Sequence, residues 1–523
     1  MFRTIALDHS GTWLAGVSRC HLRKQCETAF DAGDAGGAMI TETNGSPIAL
    51  PLIIQGGMGV AVSDWRLARA VSLRGQLGVV SGTGLDTVFI RRLQDGDPGG
   101  HLRRAMATFP MPGVAGTVQQ KYFRAAGRSP GAPYLMLPMY RLRASTSREV
   151  LTMLAAFVEV FLAREGHDNP VGINLLTKVQ RPNMATLYGA MLAGVGYVLM
   201  GAGIPREIPG VLAALADHRP ASLRLDAIGV PSSSPIQITL DPAMFWDVPP
   251  APLRRPMFIP IVASNSLATL LAHKGGSGID GFVIEGPTAG GHNAPPRGAP
   301  TFNIRGEPNY GPRDEVDLGQ VAELGLPFWV AGGTGHPDRL REALAAGATG
   351  IQVGTLFAYS EESGLEPALK RSVLASAARG EASILTDPYA SPTGYPFKIV
   401  SWSGNAASDL QRERVCDLGY LRVAFQDDAA RINYRCPAEP IDAYVAKGGK
   451  IEDTLGRRCL CNALMANVGL PQIHKDGAME PPLLTSGDDL AMIGTFLNGR
   501  SAYSAAAVID YLLSGQTVEE CHS

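Results

Sequence analysis

At 523 residues, with 45% apolar and 18% charged residues, the chain is long enough for one large unit and a smaller one, and 46 Lys+Arg against 48 Asp+Glu leave it nearly neutral at −2. No basic run or aromatic–basic stripe appears, so nucleic acid is not an expected partner. No stretch reaches about 18 uninterrupted apolar residues and the N-terminus has no continuous apolar leader, so no membrane partner is expected and the sequence reads as cytoplasmic.

In chain order, residues 1–38 read as an N-terminal tail ahead of Met39. Short apolar runs closed by glycine or a polar turn then recur: Pro51-Leu-Ile-Ile-Gln55-Gly56-Gly57, Leu77 to Gly82, Val171-Gly-Ile-Asn174, Tyr197 to Gly201, Phe258 to Ser264, Gly281 to Gly286, Pro327 to Gly333 and Gly350 to Thr355. Helical patterns separate several of them. One is Pro337 to Gly347, which has Pro at its start and Gly at its end, the ordinary helix punctuation. Repeated strand, glycine turn and helix units predict an α/β chain folded as a (β/α)8 TIM barrel over residues 39–385. In such barrels the last two loops commonly hold a phosphate. Two gaps are too long for simple crossovers. Residues 83–168 contain a long helical pattern from Ser147 and are expected to form a lid over the barrel mouth; residues 222–255, rich in Pro and Ser, form a second excursion, and the two are expected to shape the pocket. The alternation stops near residue 385, where Thr386-Asp-Pro-Tyr-Ala-Ser-Pro-Thr-Gly-Tyr-Pro marks a boundary. Residues 386–523 read as a C-terminal extension.

The segment Gly281-Phe-Val-Ile-Glu285-Gly-Pro-Thr-Ala-Gly290-Gly291-His292 runs a buried strand into a glycine-rich loop ending in a histidine. It holds one ionisable group at the mouth of the sheet. His292 is the candidate catalytic residue: a neutral imidazole can take a proton from carbon, and its protonated form can hold an oxyanion. The alternative is a histidine that only hydrogen-bonds its loop. His336, beside the phosphate loop, reads as a helix-entry residue. Backbone N–H groups at Gly332-Gly333 and at Gly354-Thr355, with the N-terminus of the 337–346 helix, would bind a phosphate without a lysine.

The motifs Gln55-Gly56-Gly57-Met58, Gly172-Ile-Asn174, Glu285-Gly-Pro-Thr-Ala-Gly-Gly-His292, Ala331-Gly-Gly333 and Gly350-Ile-Gln-Val-Gly-Thr355 resemble, in order and spacing, those of the nitronate monooxygenase (2-nitropropane dioxygenase-like) family, related to the FMN-dependent enoyl reductases. The resemblance covers roughly residues 49–360 in pieces. It implies FMN as cofactor, with Gln55, Gly56, Gly57 and Met58 along the flavin edge, Ser81 and Gly82 beside it, and Asn174 on its polar side. Glu285, Gly290 and Gly291 would line the site, and Gly332, Gly333, Gly354 and Thr355 would hold the phosphate. It further implies His292 as base or substrate anchor. Thr288 stands where nitronate monooxygenases carry a glutamate, and Glu285 resembles the enoyl reductase version, so the substrate stays open. The implied activity is oxidation of a small nitronate or activated carbon acid by O2. One alternative is an NAD(P)H-dependent FMN enoyl reductase acting on an acyl chain, and another is a flavin-binding scaffold with little turnover. A small-molecule substrate is expected in the first two cases. The oligomeric state stays open, a homodimer included.

Seven cysteines fall at 20, 26, 416, 436, 459, 461 and 521, leaving the barrel cysteine-free and excluding a barrel thiolate nucleophile. Cys416, Cys436, Cys459 and Cys461 could supply four thiolates to zinc or an iron–sulfur cluster. The spacing is irregular for a metal site and fits reduced, partly buried cysteines better.

Overall fold

The computed structural model describes residues 40–41, 47–48, 50–274, 278–403, 412–474 and 476–515; the expected 1–38 tail, Met39, and Cys20, Cys26 and Cys521 lie outside the described residues. All eight apolar runs form strands of one parallel sheet: β1 (Ile53–Gln55), β2 (Gly78–Ser81), β3 (Val171–Leu176), β4 (Tyr197–Gly201), β5 (Met257–Val262), β6 (Phe282–Glu285), β7 (Phe328–Ala331) and β8 (Gly350–Val353). The sheet runs in sequence order from β2 to β8 and back to β1. It closes through the parallel bridge between Ile54 and Leu77, where the Gln55 N–H donates to the Leu77 carbonyl at 2.9 Å. This is the expected (β/α)8 barrel.

Period-two alternation divides the strand residues between two cores. Ile54, Val79, Leu199, Ile259, Val283 and Trp329 fill the barrel interior, while Ile53, Val80, Val198, Phe258, Phe282 and Phe328 pack outward beneath the helices. The largest interior side chain, Trp329, is fully buried, and its indole N–H donates to the Pro51 carbonyl at 2.7 Å. That bond satisfies the one polar atom that would otherwise make a tryptophan costly there.

The long insertion does not lay its main helix over the mouth. Its helix Thr146–Arg164, capped by the Ser145 hydroxyl, lies with Leu151–Ala163 almost wholly buried against the helices Trp65–Ser72 and Gln180–Leu192. A helix apolar nearly all round belongs inside, and this one serves as part of the barrel's outer ring. The 222–255 excursion is displaced from the mouth as well. Ala221–Leu225 and Ile236–Leu240 form an antiparallel hairpin, and Ala227–Ile228 pairs in parallel with Val423–Gln426 of the C-terminal extension.

The extension folds back onto the barrel. The hairpin Ser383–Asp387 with Phe397–Ser401 straddles the expected boundary at 386. The helix Ala505–Leu513 packs against Trp65–Ser72 and Pro337–Ala345. Buried polar bonds tie the extension to the insertion: the Arg91 guanidinium donates to the Leu470 carbonyl at 2.7 Å, and the Tyr420 hydroxyl meets Thr87 Oγ1 at 2.7 Å. Among the described residues no helix is long and apolar enough to cross a membrane.

Candidate active site

A cavity opens at the C-terminal ends of the barrel strands, the face where TIM-barrel chemistry sits. Of the residues expected there, Gly56, Gly57, Met58 and Asn174 line one side and Glu285, Gly290, Gly291 and His292 another. Gly332, Gly333, Gly354 and Thr355 line the end nearest the helix Pro337–Ala345. Three expected residues lie outside the wall. The Gln55 side chain is fully buried, with its amide donating to Ser63 Oγ at 2.7 Å and its carbonyl accepting from the Val79 N–H at 3.0 Å. It clasps β1 to β2 instead of edging a ligand. Ser81 and Gly82 sit behind the wall, where the Gly82 N–H donates to the Asn174 carbonyl at 2.7 Å and Ser81 Oγ is buried without a partner.

His292 is fixed from the extension side. Its Nε2 lies 2.7 Å from Ser391 Oγ, and its ring packs edge-on against Phe397 with centroids 4.9 Å apart. The neighbouring backbone is paired too: the Lys398 N–H donates to the Gly291 carbonyl at 2.9 Å and the Asn293 N–H to the Pro396 carbonyl at 3.0 Å. Nδ1 makes no hydrogen bond among the described residues. Burial, aided by the nearby Lys178 charge, lowers the imidazole pKa to about 4, so the ring is neutral at pH 7. Glu285, at the end of β6, makes no side-chain hydrogen bond or ion pair among the described residues, and burial raises its carboxyl to about 7.

Glycine is required at two points for close approach. A Cβ on Gly290 would stand 2.7 Å from the Gly487 nitrogen and from the Ser486 carbonyl carbon. On Gly332, whose φ is +93°, a Cβ would meet the Ala289 nitrogen at 2.9 Å. Both glycines thus let one backbone press on another as well as on the cavity.

Sequence reasoning missed much of the wall. Leu464, Asn467, Leu484, Thr485, Ser486, Gly487 and Asp489 of the extension contribute to it, while the 83–168 insertion gives only Thr83 and the 222–255 excursion nothing. Gln352 of β8 also lines it, with its Oε1 buried and unpartnered. Its place in the Gly-Ile-Gln-Val-Gly motif was the signal available. His336 is the N-cap of the helix Pro337–Ala345, its side chain accepting from the Asp338 N–H, as expected of a helix-entry residue.

Cys416, Cys436, Cys459 and Cys461 come together around one small cavity in the extension, away from the barrel mouth. The thiols are free, and burial pushes Cys416 up to about 12 and Cys436 further up, while a hydrogen bond with Cys461 does the same for Cys459. Among the described residues no group of three or more His, Cys, Asp or Glu is arranged to hold a metal ion. The expected ligands are therefore gathered around one cavity without the arrangement of an ion site among the described residues.

A closed eight-stranded α/β barrel with a glycine-lined mouth and one neutral histidine defines the class of protein. Residues 255–385, which carry β5 to β8, match the family described as nitronate monooxygenase. That stretch carries Glu285, His292 and the two late glycine loops, the part of the chain where several of the resembling motifs lie. No curated protein matches the chain. Among solved structures, FabK from Thermotoga maritima is 16% identical with a TM-score of 0.44, covering 89% of this chain and 93% of that one. A nitroalkane oxidase from Streptomyces ansochromogenes is 15% identical with a TM-score of 0.42, covering 89% and 95%. The enoyl reductase domain of MlnA from the macrolactin biosynthesis cluster of Bacillus amyloliquefaciens is 11% identical with a TM-score of 0.45, covering 89% and 92%.

Proposed function

We propose that the chain is an FMN-dependent oxidoreductase that oxidises a small nitronate or similar activated carbon acid with O2, His292 handling the proton. The observation that carries this reading is the pairing, in one cavity, of a neutral histidine with a polar cradle that lacks partners. Buried Asn174 Oδ1 and Gln352 Oε1 have none among the described residues, and an unpaired buried acceptor is costly unless a ligand meets it. Gly332 and Gly333, with φ of +93° and +65°, make a turn in the cavity wall that favours glycine. FMN fits these features: Gly332, Gly333, Gly354 and Thr355 would hold its phosphate, Gly56, Gly57 and Met58 would lie along its ring, and Asn174 and Gln352 would meet its polar edge.

When bound, FMN supplies two-electron acceptance from the substrate and electron return to oxygen. The chain's own part is proton handling and positioning. With Nε2 engaged by Ser391 and Nδ1 unbonded among the described residues, the neutral ring can accept a proton from the carbon of a neutral nitroalkane, or present N–H to a nitronate oxygen once protonated. Phe397 and the Gly291–Lys398 pairing hold the ring still while it does so.

One observation favours a second reading. Leu176, Ile261, Leu365, Leu464 and Leu484 give the cavity an apolar flank, which suits an acyl chain and hence an NAD(P)H-dependent enoyl reductase. An anaerobic titration of the purified protein with a nitronate, NADH and NADPH, following flavin absorbance, separates the two. Bleaching by the nitronate alone supports the oxidase reading; bleaching by a nicotinamide alone replaces it with the reductase.

A further inference from the structure

The cavity end that faces the last two glycine loops is closed by the C-terminal extension, and it is closed with a negative charge. Residues 485–489 lie across both loops. The Gly487 N–H donates to Thr355 Oγ1 at 3.0 Å, the Asp488 N–H to the Thr288 carbonyl at 3.0 Å, and the Gly291 N–H to Thr485 Oγ1 at 2.8 Å. From this segment the Asp489 carboxylate accepts the N–H of Gly335 at 3.1 Å, two residues ahead of the helix Pro337–Ala345. Such N–H groups at a helix start attract anions. Here the chain's own carboxylate has taken one, beside Gly332, Gly333, Gly354 and Thr355 in the same cavity wall.

No lysine or arginine is among the described residues lining that wall. A phosphate held there by backbone N–H groups would meet the Asp489 charge with no side-chain cation in the wall to offset it. The groups that face Asp489 do not remove the conflict. On its own segment, Asp488 is a like charge, tied to Lys398 at 2.6 Å. On the helix Pro337–Ala345, Arg339 attracts it, but that guanidinium is bonded to Glu342 at 2.6 Å, and Asp338 is a further acid on the same turn. From the helix Ala505–Leu513, Tyr511 faces it as a neutral phenol.

We infer that Asp489 controls retention of the cofactor phosphate, which enters the cradle only as this carboxylate gains a proton or releases Gly335. The inference rests on the FMN reading above. A group that must be protonated for a ligand to bind makes binding weaken as pH rises, with one proton taken up per ligand bound. The burial that already raises the Asp489 pKa works in the same direction.

The test uses the full chain stripped of flavin, titrated with FMN and with riboflavin between pH 6 and 8.5, with flavin fluorescence as readout, for the natural protein and D489N. The phosphate of free FMN titrates identically for both chains, so the difference between their pH slopes reports the Asp489 charge and any proton it shares with the bound phosphate. The asparagine keeps an acceptor for Gly335 and removes the charge. The expected result is that D489N binds FMN about 10- to 100-fold more tightly at pH 8, the scale of a near-surface like-charge contact, with a flatter pH profile. Riboflavin, lacking the phosphate, should bind both chains alike. Equal FMN affinities and equal slopes, or weaker FMN binding by D489N, would overturn the inference while leaving the flavin reading intact. Failure of both chains to bind either flavin would overturn both.

Discussion

The barrel and the C-terminal extension are built by different means, and the site lies on their seam. The barrel is regular: eight short apolar strands, one inward and one outward residue in turn, with every strand paired on both sides. The extension carries little sheet and is held together by side-chain and loop contacts, such as Arg412 on the Pro481 and Pro482 carbonyls and Lys398 on Asp488. A regular scaffold fixes where the glycine loops emerge. The irregular partner decides what those loops can face, since Ser391, Phe397 and Thr485 to Asp489 orient His292 and close the cavity. Loops on a rigid frame are where function usually sits, and here the second wall is also loop.

The largest expected effect strikes the seam at His292. H292N should leave FMN bound and lower turnover of a neutral nitroalkane by about 10²- to 10⁴-fold, the usual contribution of a general base. Turnover of the pre-formed nitronate, which needs no base, should fall far less. Equal losses in steady-state assays of the two substrates would show that the ring anchors charge instead.

Breaking the lock between the two regions comes next. G290V would drive a side chain into the Ser486–Gly487 backbone and should destabilise the chain by about 2–4 kcal/mol, in the range of severe steric insertions. Chemical denaturation would measure it. If the extension is merely draped over the barrel, the variant will unfold at the natural midpoint and keep its flavin.

A change confined to the barrel should be smaller and depend on pH. Glu285 has a folded pKa of about 7 against an unfolded value near 4.3. Below the unfolded value both states hold the proton and the residue is neutral to stability. As pH rises from there toward 7 the unfolded chain ionises first, so stability falls, and the cost is complete above 7. E285Q should therefore stabilise the protein by about 1–2 kcal/mol at pH 8, allowing for partial exposure, and by nothing at pH 4. Urea midpoints at the two pH values decide it.

The smallest effect sharpens the electrostatic side of the seam. Lys178, whose ammonium lies 3.8 Å from the Tyr395 ring centre and donates to the Thr393 carbonyl at 3.2 Å, adds to burial in lowering the His292 pKa. Turnover that needs the neutral ring should be lost only as pH falls through about 4. K178M should move that acidic limb upward by less than about one unit, since exposed charges are well screened. An unmoved limb in the pH–rate profile would mean that burial acts alone.

The legible part of the molecule follows from local rules. Each barrel strand was readable because an apolar run ending in glycine has one ordinary use, and the helix Pro337–Ala345 because proline and glycine punctuate it. Eleven of the expected cofactor-side residues, from Gly56 to Thr355, reach the cavity for the same reason: a strand end and its turn are fixed by neighbours in sequence. Gln55 failed where the local rule ended, since a buried amide turns toward whatever can satisfy both of its ends, and Ser63 and Val79 offered that. The long helix from Thr146 was legible as a helix but not in its place, because an all-round apolar face says only that something must cover it.

What the sequence alone determined was the barrel, the order of its loops and the position of one histidine at its mouth. The tertiary structure decided that the mouth is walled by residues 464–489 and not by the 83–168 insertion, that Ser391 holds His292, that four distant cysteines share one cavity, and that Asp489 occupies the anion-attracting start of a helix. Each of these joins positions far apart in the chain. Their contacts come from packing and hydrogen-bond satisfaction across the fold, which no local period or spacing records.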